Sequence, residues 1–306
     1  MKIYGEREAL VAFAKEGSRT WTYRMLHRAI LSGAERLRKA GVKKGDRVLI
    51  SGPNSPQWIA ACLSIIALGA VVVPLDSQLD AETAGFILND STATIAIAAS
   101  TVLPQLPVAL EKGIRFIELA QFDAPEKEGA FSLDAESTGD DIAAVFYTSG
   151  TTGTPKAVPL THGNIAYQVN QLFHSDLTVP RDRVLLPLPL HHIYPFSMGM
   201  LLPLALGLPI MFPSDLSGPQ LLRALKEGKT TILFGVPRLF SALASAIDNK
   251  IGALSNKKKQ LLDISLNASR ALLELGGPQI GKNLLSPLHK QISPDLRLLT
   301  CGGAHL

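Results

Sequence analysis

The feature of this sequence that most constrains its fold is the alternation of short apolar runs with segments of helical periodicity. Residues 47–50 and 70–74 are short apolar runs of the kind that form buried strands. Residues 22–40 show helical periodicity, and Gly41 follows the last apolar position, where a helix would end. Because parallel strands are joined by crossovers that are usually helices, this alternation predicts an α/β fold with largely parallel sheets.

The alternation continues along the rest of the chain. Residues 120–140 interrupt it, because they are rich in acidic residues, glycine and serine and show no sustained period, so we expect an exposed connection there. Further strands are predicted at residues 94–98, 142–147, 158–160, 230–234 and 296–300, and further helices at residues 55–69, 80–88, 165–173, 221–225, 239–247 and 256–275.

The composition of the 306 residues excludes several classes of protein. Hydrophobic residues make up 46% and charged residues 18%, which supplies a large core and excludes wholesale disorder. The formal net charge of +4 is too small to indicate a nucleic-acid partner. The two cysteines, Cys62 and Cys301, cannot form a disulfide framework or a zinc site, so we expect small buried thiols in a reducing compartment.

No segment of the sequence has the pattern of a targeting peptide or a membrane span. Residues 1–13 carry charges where a signal peptide needs an apolar stretch. The longest apolar run, residues 58–73, is interrupted by Ser64 and is shorter than the roughly 18 residues of a spanning helix. We therefore expect a cytoplasmic protein. Weak association with the inner face of the membrane stays open, because the run Lys257–Lys259 is a single basic signal.

The strongest chemical signal is the segment Tyr147–Lys156, with the sequence YTSGTTGTPK. A buried strand leads into hydroxyl side chains and glycines that end in a lysine, and glycines let backbone N–H groups approach an anion. The hydroxyls donate hydrogen bonds and Lys156 adds a compact positive charge, so the segment suits a polyphosphate. It is not the Walker pattern, because Gly153 and Lys156 are three residues apart. The alternative is a glycine-rich surface loop.

This segment closely resembles the phosphate loop of the adenylate-forming superfamily, which includes acyl-CoA synthetases, adenylation domains of peptide synthetases and luciferases. Ala157 departs from the family pattern, which usually has glycine there. The resemblance covers nearly the whole chain, because family-like segments also occur at Thr22-Tyr23, at GVKKGDRV (41–48), at LPLHH (188–192), at GVP (235–237) and at GGA (302–304).

The resemblance implies a site with three parts. The β- and γ-phosphates of ATP would be held by Thr148, Ser149, Gly150, Thr151, Thr152, Gly153 and Lys156. The adenine would lie against Gly302, Gly303 and Ala304. The acyl pocket would be lined by His192, Tyr194, Phe196, Gly235 and Pro237, although core packing explains histidine and aromatic residues in apolar segments as well.

The family fold implied by the resemblance has two αβα layered subdomains. Residues 41–177, with the phosphate loop, would form the first, and residues 1–40 with 178–306 would form an incomplete second. The family's catalytic lysine, its metal-associated glutamate and its C-terminal lid would lie beyond Leu306, so no catalytic or metal-binding residue is assigned. We expect a truncated chain that is inactive alone and associates with itself through an exposed sheet edge.

The reaction implied by the resemblance joins a carboxylic acid to ATP and then transfers the acyl group to coenzyme A. The implied cofactors and substrates are ATP, Mg²⁺, coenzyme A and a carboxylic acid. Residues 284–306 are most similar to long-chain fatty acyl-CoA synthetases, which implies a fatty acid substrate. The alternatives are a fatty acyl-AMP ligase that loads a carrier protein, an aryl-CoA ligase, and a non-catalytic module that binds a nucleotide or an acyl group.

Overall fold

The computed structural model describes residues 4–102, 113–125, 137–148, 154–175, 177–252, 255–274 and 293–302. Its strands are β1 (Glu8–Phe13), β2 (Ser18–Thr22), β3 (Arg47–Ser51), β4 (Val71–Pro74), β5 (Ile95–Ala98), β6 (Arg115–Glu118), β7 (Ile142–Thr148), β8 (Lys156–Thr161), β9 (Val184–Leu185), β10 (Ile210–Phe212), β11 (Ile232–Gly235) and β12 (Leu298–Cys301).

The helices alternate with these strands. They are α1 (Tyr23–Lys39), α2 (Pro56–Ala67), α3 (Ala81–Asp90), α4 (His162–Phe173), α5 (Leu202–Leu206), α6 (Gly218–Glu227), α7 (Pro237–Gly252) and α8 (Asn256–Glu274). A 3₁₀ turn covers Leu119–Phe122, and Pro195–Leu201 is wound as a π-helix that runs directly into α5.

The strands form two six-stranded sheets. The first sheet has the order β6-β5-β3-β4-β7-β8, and the second has the order β12-β11-β9-β10-β1-β2. Each sheet is parallel except for one antiparallel edge strand, β8 in the first sheet and β2 in the second. The predicted α/β fold with two largely parallel sheets is confirmed. The strands of the first sheet come from residues 47–161, while the subdomain boundaries at residues 41 and 177 stay a proposal.

Local sequence signals explain where the first two helices begin. The Thr22 hydroxyl accepts a hydrogen bond from the Met25 N–H at 3.2 Å and caps α1. Ser55 caps α2 in the same way through the Trp58 N–H at 3.1 Å, and Pro56 occupies the first helical position. Gly41 has a φ of +87°, which permits the turn out of α1 toward β3.

The two sheets share one hydrophobic core. It contains buried residues of both sheets together with the inner faces of α1 and α2. At the contact between these helices, a Cβ atom on Gly33 would lie 2.3 Å from the Ser64 Oγ, so only glycine permits this approach. Phe146 of β7 meets Phe196 of the π-helix edge to face, with ring centroids 5.1 Å apart. The core therefore fixes the position of one sheet relative to the other.

The two cysteines differ in exposure. Cys62 in α2 is fully buried, as predicted, but Cys301 is exposed, so the prediction of a buried thiol was wrong there. Cys301 ends β12, which is an edge strand, and successive side chains of a strand point to opposite faces. Within the part of the chain that the structure describes, no helix is long and apolar enough to cross a membrane.

Candidate nucleotide and acyl site

The carboxyl ends of strands from both sheets meet at one crevice. It contains a cavity of about 700 Å³ lined by residues that follow β3, β4 and β5 of the first sheet and β9 and β10 of the second. Open α/β sheets bind ligands outside the carboxyl ends of their strands, since the connecting loops converge there. The position of the cavity therefore marks it as a candidate site.

His192 and His191 line this cavity after β9. Their rings contact each other, with centroids 4.3 Å apart and planes tilted by 58°. The His191 Nε2 atom lies 3.5 Å from the Asp76 Oδ2 atom, which reaches it from the loop after β4 in the other sheet. Burial lowers the pKa of His191 to about 4, since the opposing charge of Asp76 does not offset burial, so His191 is neutral near pH 7.

Asn54 holds the segment that carries both histidines. Its Nδ2 group donates to the Leu188 carbonyl at 2.7 Å, and its Oδ1 atom accepts from the Leu190 N–H at 3.0 Å. Asn54 follows β3 in the first sheet, whereas residues 188–190 follow β9 in the second. The side-chain amide thus joins the loops of the two sheets across the crevice.

Tyr194, Gly235 and Gly302 come together at the carboxyl ends of β11 and β12. The Tyr194 hydroxyl lies 3.2 Å from the Thr300 Oγ1, and a Cβ atom on Gly302 would lie 3.3 Å from the Tyr194 ring. The Gly302 N–H donates to the Gly235 carbonyl at 3.2 Å. Burial raises the pKa of Tyr194, which keeps its hydroxyl protonated. Pro237 begins α7 two residues after Gly235.

Phe196 lies apart from these groups. It is fully buried in the core against Phe146 and does not line the cavity of the crevice. This burial fits the alternative explanation from the sequence, in which Phe196 packs in the core rather than lining an acyl pocket.

The ends of the predicted phosphate loop lie side by side. Thr148, the last residue of β7, pairs with Lys156, the first residue of the antiparallel strand β8. The Tyr147 hydroxyl donates to the Asp90 Oδ2 at 2.7 Å and anchors the residue before Thr148. Five predicted phosphate ligands and two predicted adenine contacts lie outside the described residues, namely Ser149, Gly150, Thr151, Thr152, Gly153, Gly303 and Ala304.

The helix after this hairpin begins with a capping box. The Thr161 hydroxyl accepts from the Asn164 N–H at 3.0 Å, and the Asn164 Oδ1 accepts from the Thr161 N–H at 3.1 Å. The strand β8 is therefore joined to α4 without a flexible link.

A comparison with protein families decides what kind of chain has this architecture. The family model described as AMP-binding enzyme matches residues 1–306. The chain belongs to the AMP-binding enzyme family. Its two sheets correspond to the N-terminal domain of adenylate-forming enzymes.

Three relatives illustrate the range of this AMP-binding family. The chain is 32% identical over 232 residues to a feruloyl-CoA synthase of Amycolatopsis, covering 76% of this chain and 46% of the relative. It is 26% identical to a long-chain-fatty-acid–CoA ligase of Rattus norvegicus, covering 86% of this chain and 45% of the relative. An O-succinylbenzoate coenzyme A synthetase from Bacillus subtilis, solved with AMP, matches with a TM-score of 0.69 at 25% identity, covering 82% of this chain and 62% of that one. The chain spans about half the length of the curated relatives it matches.

Sequence analysis assigned Asn54 and Asp76 no role in the site of this family member. A usable signal was present, because both are polar residues that closely follow buried strands predicted to be parallel. It also missed a smaller apolar cavity of about 430 Å³ between α7 and β12, lined by Phe240, Leu243, Ala244, Ile247, Leu299 and Cys301.

The described residues provide no cluster of side chains that could by itself bind the metal expected from the family resemblance. In that part of the chain, no group of three or more histidine, cysteine, aspartate or glutamate side chains could hold a metal ion. A Mg²⁺ ion that accompanies ATP needs few protein ligands, because it retains waters and phosphate oxygens. Mg²⁺ therefore stays a proposal.

Proposed function

We propose that this chain forms the ATP- and acid-binding part of an AMP-forming acid–thiol ligase. The observation that carries the proposal is the pairing of Thr148 with Lys156, because it brings the two ends of the hydroxyl- and glycine-rich segment side by side at the carboxyl end of β7. Backbone N–H groups, hydroxyls and the Lys156 ammonium would bind the phosphates of ATP there.

The chemical logic of the reaction follows from its leaving group. A carboxylate is a poor acyl donor, so attack on the α-phosphorus of ATP first forms an acyl-adenylate and releases pyrophosphate. The coenzyme A thiol then attacks the acyl carbon, and AMP leaves as the thioester forms. In this scheme His192 borders the acid in the crevice, Tyr194 and Gly235 lie beside the acyl group, and Gly302 lies beside the adenine. We propose that a longer chain is required for the thioester step.

We propose a fatty acid as the first candidate substrate. The apolar stretch at residues 193–206 is compatible with an acyl chain, and one relative is named as a long-chain-fatty-acid–CoA ligase. An aryl acid is the second candidate. The feruloyl-CoA synthase relative favours it. Cytoplasmic location and membrane association stay sequence predictions.

Calorimetry of ATP and of a non-hydrolysable acyl-adenylate analogue tests the proposed function. We expect both to bind, and we expect Lys156→Ala to weaken ATP binding about 10- to 100-fold, the effect of losing one charged hydrogen bond. Lys257→Ala is the matched control, because Lys257 is exposed at the start of α8. The proposal fails if folded wild-type protein binds neither ligand, or if both variants bind ATP like the wild type.

A panel of analogues then separates the two substrate classes. Acyl-adenylate analogues with a long alkyl chain and with a feruloyl group are compared on the same protein. Tighter binding of the alkyl analogue supports a fatty acid, and tighter binding of the feruloyl analogue supports an aryl acid.

A further inference from the structure

The segment with His191 and His192 belongs by connection to the second sheet, but its side-chain partners belong to the first. It follows β9, and its hydrogen-bonding partner Asn54 and its charged neighbour Asp76 follow β3 and β4. The loop after β9 is therefore located by contacts across the crevice.

We propose that Asn54 and Asp76 are positioning residues for His192, a role that rests on the proposed function. Asn54 fixes the backbone of residues 188–190 through one donated and one accepted hydrogen bond. Asp76 approaches the His191 ring, and the His191 ring packs against the His192 ring. One residue thus sets the path of the chain, and the other sets the orientation of the ring beside His192.

The geometry favours positioning over a simple fold contact for two reasons. First, Asn54, Asp76, His191 and His192 all line the same cavity of about 700 Å³ rather than the core. Second, His191 has only a small exposed fraction, 16% of its side chain, so its ring is confined while His192 is exposed to the cavity. Among the described residues that line the cavity, Asp215, from the loop after β10, is the other one with a carboxylate.

The chain supplies a matched control for Asn54. Gln57 lies three residues later in the first turn of α2, and its amide contacts Asp123 at 3.3 Å. Gln57 does not line the cavity, so Gln57→Leu removes an amide hydrogen bond without touching the histidine segment.

The first arm of the test compares ATP with the acyl-adenylate analogue, because only the analogue carries an acyl group. Asn54→Leu loses the hydrogen bonds to Leu188 and Leu190, and Asp76→Ala loses the carboxylate that lies 3.5 Å from His191. Each variant should weaken binding of the acyl-adenylate analogue about tenfold and should leave ATP binding within about twofold. Asn54→Asp keeps the acceptor for the Leu190 N–H, so we expect it to retain part of the affinity. Gln57→Leu should leave both affinities unchanged. Equal loss for both ligands, or no loss in folded variants, would overturn the inference.

The second arm does not depend on ligand binding. Long-range proton–nitrogen NMR spectra of the ligand-free protein report the ring state and ring environment of each histidine. We expect Asp76→Ala to shift the ring signals of both His191 and His192, Asp76→Asn to restore most of the shift, and Gln57→Leu to change neither. If wild-type protein binds no ligand but these shifts occur, the proposed function fails and the positioning role stands. Unchanged His192 signals in Asp76→Ala would overturn the positioning role.

Discussion

The ion pair between Asp182 and Arg297 lies at the opposite end of the second sheet from the candidate site. The Asp182 side chain is completely buried, and Arg297 reaches it with both Nε and Nη2, the Nε–Oδ1 distance being 2.8 Å. The Thr231 hydroxyl donates to the same carboxylate at 2.7 Å. Since these residues lie one or two positions before β9, β11 and β12, the carboxylate connects the starts of three neighbouring strands.

Arg297→Ala would leave this buried carboxylate without its cation. Removing one partner of a buried pair costs about 3–5 kcal/mol. Arg297 is 33% exposed and the Thr231 donor remains, so we expect the free energy of unfolding to fall by about 2–4 kcal/mol. The same substitution at the exposed neighbour Arg181 should change it by less than about 0.5 kcal/mol.

Urea denaturation followed by circular dichroism at pH 7 measures these differences. We also expect Asp182→Asn to recover at least about 1 kcal/mol when it is combined with Arg297→Ala, because it removes the buried charge. Burial by itself would raise the pKa of Asp182, but hydrogen bonds from Arg297, Val179 and Thr231 outweigh it and hold the pKa below its usual value.

The contribution of the Asp182 carboxylate to the free energy of unfolding should decrease in acid. A carboxyl whose pKa is lower in the folded state stabilises the fold above its unfolded pKa of about 3.9 and loses that contribution as pH falls through the folded value. The advantage of wild type over Asp182→Asn should therefore shrink in acid. The reasoning is refuted if Arg297→Ala costs no more than Arg181→Ala, or if Asp182→Asn gives no recovery in the double variant.

Three further predictions concern packing, protonation and capping. Gly33→Ala should lower the free energy of unfolding by about 1–3 kcal/mol because its methyl group meets Ser64 of α2, whereas Gly252→Ala should not, since no atom of the described residues lies within 4 Å of the added group; thermal melts compare them. As pH falls from 6.5 to 4, the unfolded chain protonates His191 before the folded chain does, so the free energy of unfolding should fall by about 1–3 kcal/mol in urea titrations. His191→Asn should reduce this loss, and an equal loss in the variant would contradict the prediction. Thr161→Ala should cost about 1 kcal/mol and speed hydrogen exchange at the start of α4, and unchanged exchange would exclude a capping role.

The sequence predicted the strands that are buried on both faces. It missed strands whose own residues carry little strand signal and that form through hydrogen bonds to neighbouring strands. Ile142–Thr148 and Val71–Pro74 are continuous apolar runs, and their prediction is confirmed to within a residue or two. The strand Glu8–Phe13 was missed, because it begins with a charged residue and one of its two partners, Ile210–Phe212, lies far along the chain. The strand Val184–Leu185 has only two residues and becomes a strand through its neighbours on both sides.

The candidate site was predictable where its signal is local. The Tyr147–Lys156 motif and His192 stand in continuous segments whose residue types indicate their chemistry. The contacts of Asn54 with Leu188 and Leu190 join residues 134 and 136 positions apart, and no local pattern encodes such a separation. An aromatic side chain in an apolar segment, such as Phe196, suits a pocket and a core equally well, so only the fold shows that it packs on Phe146.

The π-helix at Pro195–Leu201 gives this family member a simple route for evolutionary change. The Leu202 N–H donates to the Ser197 carbonyl, five residues back, so this turn holds one residue more than an α-helical turn. Loss of this extra residue would leave an α-helical turn that still completes one full rotation, so the residues before it would keep their direction relative to α5. Tyr194, immediately before the π-helix, would therefore keep its contact with Thr300. The chain can thus change its length by one residue at this point while the groups on either side stay in place.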